Sequence, residues 1–437
     1  MRDDSTPIAT APPGWSMRPL KELCSIVSGG TPSKSNPEFW RGSIPWVSGK
    51  DLKRPLLSDA IDHISEAGLA DGSRLAPAGT VFVLVRGMGL AKGLPVAVAL
   101  RPMAFNQDIK ALIPRSTISG EYIRAALFHA RERLLSRIVP SAHGTMTLNL
   151  DDVQNFEIPV PDQAADATEI ARALGSVMLA QDAAKQGAHV IENMKRATMR
   201  SLFTRGLKGE AQKETEIGPV PETWSVTPFS SVRDWLQYGT SVRCTYEQSA
   251  FPVLRIPNIQ PGVVDTADIK FSTLSSHEAA KYRLSEGDLI FIRTNGVVER
   301  LGACAVYAGA PKDALFASYL IRARLKTSVI SPRFAAHFFA SEIGTSIISG
   351  RATPAADGKY NLNTGTIDNL PIPLPPSVEE QLEIVTILDA IDRKIDLHRR
   401  KRSVLTDLFN ALLHKLMTGE VRVSALDLSA LNSDVNA

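Results

Sequence analysis

Apolar or core-compatible positions in the last part of the chain recur at alternating steps of four and three: Ile384, Leu388, Ile391 and Ile395, then His398 and Arg402, then Leu405, Phe409, Leu412 and Leu416. This is the seam of a heptad helix. The same steps run through Ile170, Leu174, Val177, Gln181, Ala184, Ala188, Ile191, Lys195, Thr198 and Leu202. No proline interrupts either run, and about 40 residues at 1.5 Å each predict helices about 60 Å long. Pro159-Val-Pro161 and Pro373-Leu-Pro-Pro376 lead into them, while Arg205-Gly206 and Thr418-Gly419 mark the exits, glycine suiting a left-handed C-terminal cap. The polar seam residues Gln181, Lys195, His398 and Arg402 weaken packing but can set register and partner. They predict that the two helices pair with each other; two separate helices, each packed on its own domain, are the alternative.

Ahead of each helix the pattern changes to short runs rich in β-branched and aromatic residues, bounded by Gly, Pro or Asp. Val81-Phe-Val-Leu-Val85, Leu289-Ile-Phe-Ile292 and Ser318-Tyr-Leu-Ile-Arg-Ala323 predict strands. Helical periodicity returns over Glu121–Ile138 and Pro332–Ser349. Each globular part is therefore expected to be α+β.

The sequence also repeats itself once. Gly144-Thr-Met-Thr-Leu-Asn through Asn155 to Ile158-Pro-Val-Pro161 matches Gly358-Lys-Tyr-Asn-Leu-Asn through Asn369 to Ile372-Pro-Leu-Pro375 at an offset of 214. That offset continues ungapped through Leu174 and Leu388 to Thr204 and Thr418. Trp15-Ser16 and Gly30-Thr31 match Trp224-Ser225 and Gly239-Thr240 at an offset of 209. Between these anchors the halves diverge, with Ile44-Pro-Trp-Val facing Phe251-Pro-Val-Leu, and Gly79 through Arg86 facing Gly287 through Arg293. A kept framework with changed contents suits two domains that do one job on different targets. The expected order is a first domain over 1–161, a helix over 162–206, a polar linker over 207–223, a second domain over 224–376, a helix over 377–418 and a tail over 419–437. Duplication with this order predicts a pseudo-twofold arrangement around antiparallel helices. A rod of that length holds two reading surfaces at most about 17 base pairs apart on a duplex rising 3.4 Å per pair.

Composition narrows the class. The chain has 437 residues, 22% of them charged and 44% hydrophobic, which excludes a disordered or fibrous protein. The net charge of +3 says little about nucleic acid, since a near-neutral total can hide basic surfaces. Cys24, Cys244 and Cys304 lie far apart without a C-x-x-C pair, so neither a disulfide framework nor a thiolate zinc site is expected. Met1–Trp15 lacks the apolar core of a signal peptide and no stretch reaches 18 apolar residues, so a cytoplasmic protein is expected.

Catalytic patterns are missing: there is no G-x-x-x-x-G-K-[ST], H-E-x-x-H, G-x-S-x-G, or (Asn/Asp)-Pro-Pro-aromatic. Isolated histidines such as His129 and His337 are expected to be core or surface residues, and no metal site is expected. Candidate nucleic-acid readers are the polar and basic residues of the divergent loops. Arg and Lys can grip guanine edges or phosphates, and Asn and Gln can read adenine. They are Lys34, Arg41, Lys50, Arg86, Asn106 and Gln107 in the first domain, and Arg243, Arg255, Asn258, Arg293, Thr294 and Asn295 in the second. Ser28-Gly-Gly-Thr-Pro32 and Tyr238-Gly-Thr-Ser241 are either phosphate-binding backbone or ordinary turns.

Taken together, these pieces resemble the specificity subunit of a type I restriction–modification system. They are Trp15-Ser with the following Gly-Gly-Thr-Pro, Gly144 to Pro161, Met199-Arg-Ser-Leu-Phe-Thr-Arg-Gly-Leu207, Thr215 to Trp224, Asn363 to Pro375, Glu379 to Ile384, and Leu412-Leu-His-Lys-Leu-Met-Thr-Gly-Glu420. The likeness covers about 12–420. It implies two target-recognition domains, each reading half of a split double-stranded DNA site and held apart by two long antiparallel coiled-coil helices. It implies that two modification subunits, carrying S-adenosylmethionine and the adenine-N6 chemistry, dock on this subunit, and that two motor-nuclease subunits using ATP and Mg can join. No catalytic residue and no cofactor of its own are then expected here. A self-sufficient methyltransferase or nuclease, and a coiled-coil scaffold that never touches DNA, are the rival readings.

Overall fold

The computed structural model describes residues 11–115, 117–140, 145–355 and 358–427. Gly144, the first residue of the repeat, and the ends of the predicted N-terminal domain and C-terminal tail lie outside these. The chain divides into two compact units, one holding residues up to Lys185 together with those from Arg400 on, the other holding Gln186–Arg399.

Both units are built on one plan. In the first, strand Trp15–Pro19 pairs antiparallel with Glu157–Pro161, closing the globular part just before the long helix. In the second, Ser225–Pro228 pairs with Pro371–Leu374 in the same way. The tryptophan at the start of each opening strand takes the same backbone bond, Trp15 N–H to Pro12 O and Trp224 N–H to Pro221 O, both 3.0 Å. The main sheet of the first unit runs in the order Cys24–Ser28, Ile109–Pro114, Val81–Leu84, Val96–Ala99, Leu56–Leu57. Its counterpart runs Arg233–Tyr238, Leu320–Leu325, Leu289–Ile292, Cys304–Val306, and then Gly262–Val264 and Ile259–Gln260. A smaller second sheet in each unit contains a parallel pair, Trp46 beside Ala104 in one and Val253 beside Leu315 in the other. The mixed architecture agrees with the α+β expectation.

The repeated asparagine has a local cause. Asn155 and Asn369 end the short helices Leu150–Gln154 and Thr364–Asp368, and each returns its side-chain amide to the carbonyl four residues back, Asp151 O at 3.0 Å and Gly365 O at 2.9 Å. The repeated leucines Leu148 and Leu362 are buried just ahead of these helices.

The two longer helical stretches are each broken in two. Gly120–His129 is followed by Arg131–Leu135, and Pro332–Ala340 by Glu342–Ser349. At the second break Ser341 is extended and its hydroxyl accepts from Gly344 N–H at 3.1 Å, so it ends one helix and caps the next. A Cβ on Gly344 would lie 2.3 Å from Phe338 O, which is why the tight turn carries a glycine.

The long helices span Ala164–Arg205 and Val378–Met417. The core of the first unit contains Ala167, Ile170, Leu174 and Val177 with Leu405, Phe409, Leu412 and Leu416. That of the second contains Met199, Leu202 and Phe203 with Ile384, Leu388, Ile391 and Ile395. Each unit therefore includes part of both helices. In the first, Gln181 Nε2 donates to Leu405 O at 2.9 Å. In the second, Lys195 Nζ donates to both oxygens of Asp392 at 2.6 and 2.7 Å, and Arg399 donates to Glu192 at 2.6 Å. Rising numbers on one helix meet falling numbers on the other, so the pairing is antiparallel. His398 lies against Gly187, where a Cβ would sit 2.6 Å from the imidazole. Arg402, expected on the seam, is exposed instead. Gly206 (φ +63°) and Gly419 (φ +71°) are left-handed helix ends, as expected.

The polar segment after the first helix is an ordered part of the second unit. Gln212–Thr215 and Gly218–Pro221 form an antiparallel hairpin, with Val220 buried. Its charged, exposed strand gives a hydrophilic sequence, and the fixed turn at Gly218 (φ +89°) gives it order.

Candidate nucleic-acid interface

In each unit four segments meet at one end of the main sheet. In the first, Gly30 N–H donates to Phe105 O (3.0 Å), Val85 N–H to Asp108 O (2.9 Å), and Leu148 N–H to Val85 O (2.8 Å). In the second, Thr240 N–H donates to Phe316 O (2.9 Å), Arg293 N–H to Tyr319 O (3.0 Å), and Leu362 N–H to Arg293 O (2.7 Å). One backbone frame thus carries different side chains. A Cβ on Gly29 would lie 2.2 Å from Phe105 O, and one on Gly239 would lie 2.3 Å from the carbonyls of Phe316 and Ala317. The glycines serve this close backbone approach, and the amides of Gly30, Gly239 and Thr240 already have carbonyl partners. The turn reading of the glycine segments therefore stands over the phosphate one.

The frame corrects one alignment. Arg86 bridges to Thr147 where Thr294 pairs with Asn361, so Arg86 corresponds to Thr294, and Arg293 to the buried Val85. The two arginines aligned by sequence sit one residue apart and face opposite sides of the strand.

Of the candidate readers, the frame gathers Arg86 and Gln107 in the first unit, where Gln107 accepts from the Thr31 hydroxyl, and Arg293, Thr294 and Asn295 in the second. Arg86 and Gln107 are exposed. Asn295 Oδ1 accepts from Val297 N–H at 2.9 Å. Lys34, Arg41 and Lys50 lie on the exposed segment leading to and from strand Ile44–Val47. Arg41 pairs with Glu38 at 3.1 Å, and Lys50 pairs with Asp62 at 2.9 Å, whose hydrogen bond raises the Lys50 pKa above the usual lysine range. Arg243 is exposed before Cys244–Thr245.

Three candidates are structural. Asn106 is buried and turns the chain, its Oδ1 accepting from Asp108 N–H at 3.2 Å. Asn258 is 1% exposed; its Oδ1 accepts from Arg255 N–H at 2.8 Å, and its amide donates to Asp265 O and Asp268 O, both at 2.9 Å. Arg255 is held by the Asp268 carboxylate and carbonyl at 2.9 and 3.0 Å. Buried amides whose bonds go to backbone cannot also meet a base edge.

Two tyrosines outside the candidate set also lie at this frame. Tyr238 ends strand Arg233–Tyr238, with the Arg293 guanidinium 4.7 Å from its ring centre. Tyr319 sits on the turn before Leu320–Leu325 and is 57% exposed. The sequence run from Ser318 hides it inside a predicted strand; a strand starting at Leu320 would have exposed it as a turn residue.

Two charge clusters lie elsewhere in the second unit. Asp288, fully buried, accepts from Arg324 and from Ser285 N–H (2.8 Å), with Arg322 at 3.7 Å. Burial lowers the Arg322 pKa to about 10, and its guanidinium lies 4.5 Å from the Trp235 ring centre. The other cluster joins His337, Asp389 and Asp392, whose ligating atoms all lie within 4.8 Å of one another. Lys195 covers Asp392 and Arg333 covers Asp389, so this is an ion-pair clamp between helices. Burial acts to raise the Asp389 pKa, but the His337 hydrogen bond and the Arg333 charge hold it below the usual carboxylate range. His337, expected in a core or surface role, is the buried member of the clamp, with Nε2 3.0 Å from Asp389. No helix among the described residues is long and apolar enough to cross a membrane.

Comparison with known proteins gives this geometry a family. The family model described as "Type I restriction modification DNA specificity domain" matches residues 12–192 and 234–407. Over 145 residues the chain is 37% identical to the EcoR124I/EcoR124II specificity subunit of Escherichia coli, covering 33% of this chain and 36% of that one. It is 22% identical over 427 residues to the EcoKI specificity subunit of E. coli K12, covering 94% of this chain and 90% of that one. Among solved structures, the type I S subunit from M. genitalium superposes with a TM-score of 0.59 at 14% identity, covering 95% of this chain and 98% of that one. The shared fold and the doubled family match together place this chain in the type I restriction–modification DNA specificity family.

Proposed function

We propose that this chain is the DNA-reading subunit of a type I restriction–modification complex, each unit reading one half of a bipartite double-stranded site. The observation that carries this reading is the frame at the end of each main sheet. It is identical in backbone bonding and different in side chains, which is what two readers of different sequences require. The chain supplies no catalytic group in this reading. S-adenosylmethionine and adenine-N6 transfer belong to two docked modification subunits, and ATP and Mg to motor-nuclease subunits that can join them. Placing the modification pocket over a flipped adenine is then the task of the reader.

A duplicated apolar stripe supports two equal docking sites. In the second unit the first helix exposes Val190 (63%), Met194 and Ala197; in the first unit the second helix exposes Val404 (66%), Leu408 and Ala411. The two sets are related by the repeat offset of 214 and follow i, i+4, i+7 spacing, so each forms one apolar helix face. Exposed apolar residues retained at both copies point to a covered surface.

Co-expression with a modification subunit in a methylation-free host, followed by mapping of modified adenines, tests the reading. A single split motif is expected; no modification by an assembled complex would favour the scaffold. Val190→Glu with Met194→Glu is expected to reduce the copies of modification subunit in the purified complex from two to one, as read by native mass. Val404→Glu with Leu408→Glu should do the same at the other site. Unchanged stoichiometry in both pairs would remove the helix faces from the docking surface.

A further inference from the structure

Resting on the reader function above, we propose that Tyr319 is a specificity-determining residue of the second unit, stacking its ring on a base of that half-site, with Arg293 and Tyr238 forming the support behind it. The argument starts from what the frame does with these positions. Tyr319 occupies the place of Asp108, Arg293 that of Val85, and Tyr238 that of Ser28, so the second unit alone builds an aromatic–arginine corner there.

The corner is held from below and open above. Arg293 is half-buried, its guanidinium over the Tyr238 ring at 4.7 Å and its Nη1 donating to Ser318 O at 3.4 Å, while its buried Nε has no hydrogen-bond partner among the described residues. The Tyr238 hydroxyl is fixed by Thr364 N–H at 3.2 Å. Tyr319 is tied through its backbone, where its carbonyl accepts from Arg293 N–H at 3.0 Å and the next residue closes the turn, Leu320 N–H to Ala317 O at 2.9 Å. Its side chain takes no part: Tyr319 is 57% exposed, and among the described residues no hydrogen bond holds the hydroxyl. The buried tyrosines Tyr122 and Tyr307 both donate their hydroxyls to backbone carbonyls. A large ring presented on a rigid backbone at low entropy cost is the form that base stacking uses. The Arg293 guanidinium, over the neighbouring Tyr238 ring, adds a positive charge next to the phosphates that flank a stacked base.

The first unit has no ring at these positions and presents Arg86, Gln107 and Thr31 instead. The two halves of the site would therefore be read by different chemistry, hydrogen bonding in one and stacking in the other.

The test uses the full chain assembled with its modification subunit. Wild type, Tyr319→Ala, Tyr319→Phe and Arg293→Lys are compared for duplex affinity and for the genome-wide adenine-methylation motif. Tyr319→Ala is expected to weaken binding of the cognate duplex about 10- to 100-fold, the range of one lost stacked base. It should also relax the motif in one half only. Tyr319→Phe, which keeps the ring, should stay within about threefold of wild type, and Arg293→Lys, which loses the planar group, should fall between them. Tyr319→Ala that methylates the same motif at the same rate would overturn the proposal. A wild-type complex that yields no split motif would instead overturn the reader function itself, so the two failures are distinguishable.

Discussion

Replacing Asp288 by alanine is expected to destabilise the second unit by about 3–5 kcal/mol, the cost of stranding buried charge. Asp288 is fully buried beneath Arg324 and Arg322, and Arg322 is itself 4% exposed. The duplication supplies the control. The frame puts Thr80 in the first unit at the position of Asp288, and Ala111 and Ile113 at those of Arg322 and Arg324. One copy of the sheet therefore carries an ion-pair network where the other carries apolar packing and a hydroxyl bonded to Pro77 O at 2.7 Å. Replacing a whole buried network is far less costly than removing one member. The triple variant Asp288→Thr, Arg322→Ala, Arg324→Ile should accordingly regain at least half of the stability lost by Asp288→Ala. Hydrogen exchange of strands Leu289–Ile292 and Leu320–Leu325 in the full chain reads this out. Equal protection in wild type and Asp288→Ala would show that the network contributes nothing.

Trp224→Ala is the second large effect, also about 3–5 kcal/mol, as for other buried aromatic truncations. Trp224 is fully buried, packs edge-to-face on Phe334 at 6.0 Å, and its Nε1 donates to Glu380 Oε1 at 3.0 Å at the start of the second long helix. The ring joins the opening strand of the unit to the helix that follows it. Its repeat partner Trp15 is only half-buried, so Trp15→Ala should cost clearly less. Denaturant unfolding of the full chain, followed by exchange in each unit, checks the ranking; equal losses would contradict it.

What could be read in the sequence was what depends on local spacing. Heptad steps, proline entries and glycine exits located both long helices to within two residues, because helix formation and capping are settled by neighbours along the chain. The repeat was legible for the same reason, since Leu148, Asn155 and their copies act within one short helix and the strand beside it. The site was only partly legible. Asn106 and Asn258 look like readers by type, yet the fold buries both and their side chains are taken up by nearby residues of the same loop. Arg86 and Arg293 align by eye, but strand pairing sets them one residue out of register. Arg255 is consumed by Asp268, thirteen residues on. Burial, loop geometry and strand pairing decide these positions, and side-chain type discloses none of them. The polar segment 207–223 shows the same limit, because hydrophilic composition does not separate a linker from an exposed hairpin.

Because the globular part of the first unit is closed by its own strand pair, Trp15–Pro19 with Glu157–Pro161, it can be exchanged at those points without cutting a sheet. The most direct measurement is to replace residues 15–161 with the matching segment of a family member of different specificity. The hybrid is then assembled with the modification subunit and every methylated adenine is mapped. One half of the split motif should change, while the other half and the unread gap stay as in wild type. A motif that changes in both halves, or in neither, would contradict the claim that the two units read independently on one frame.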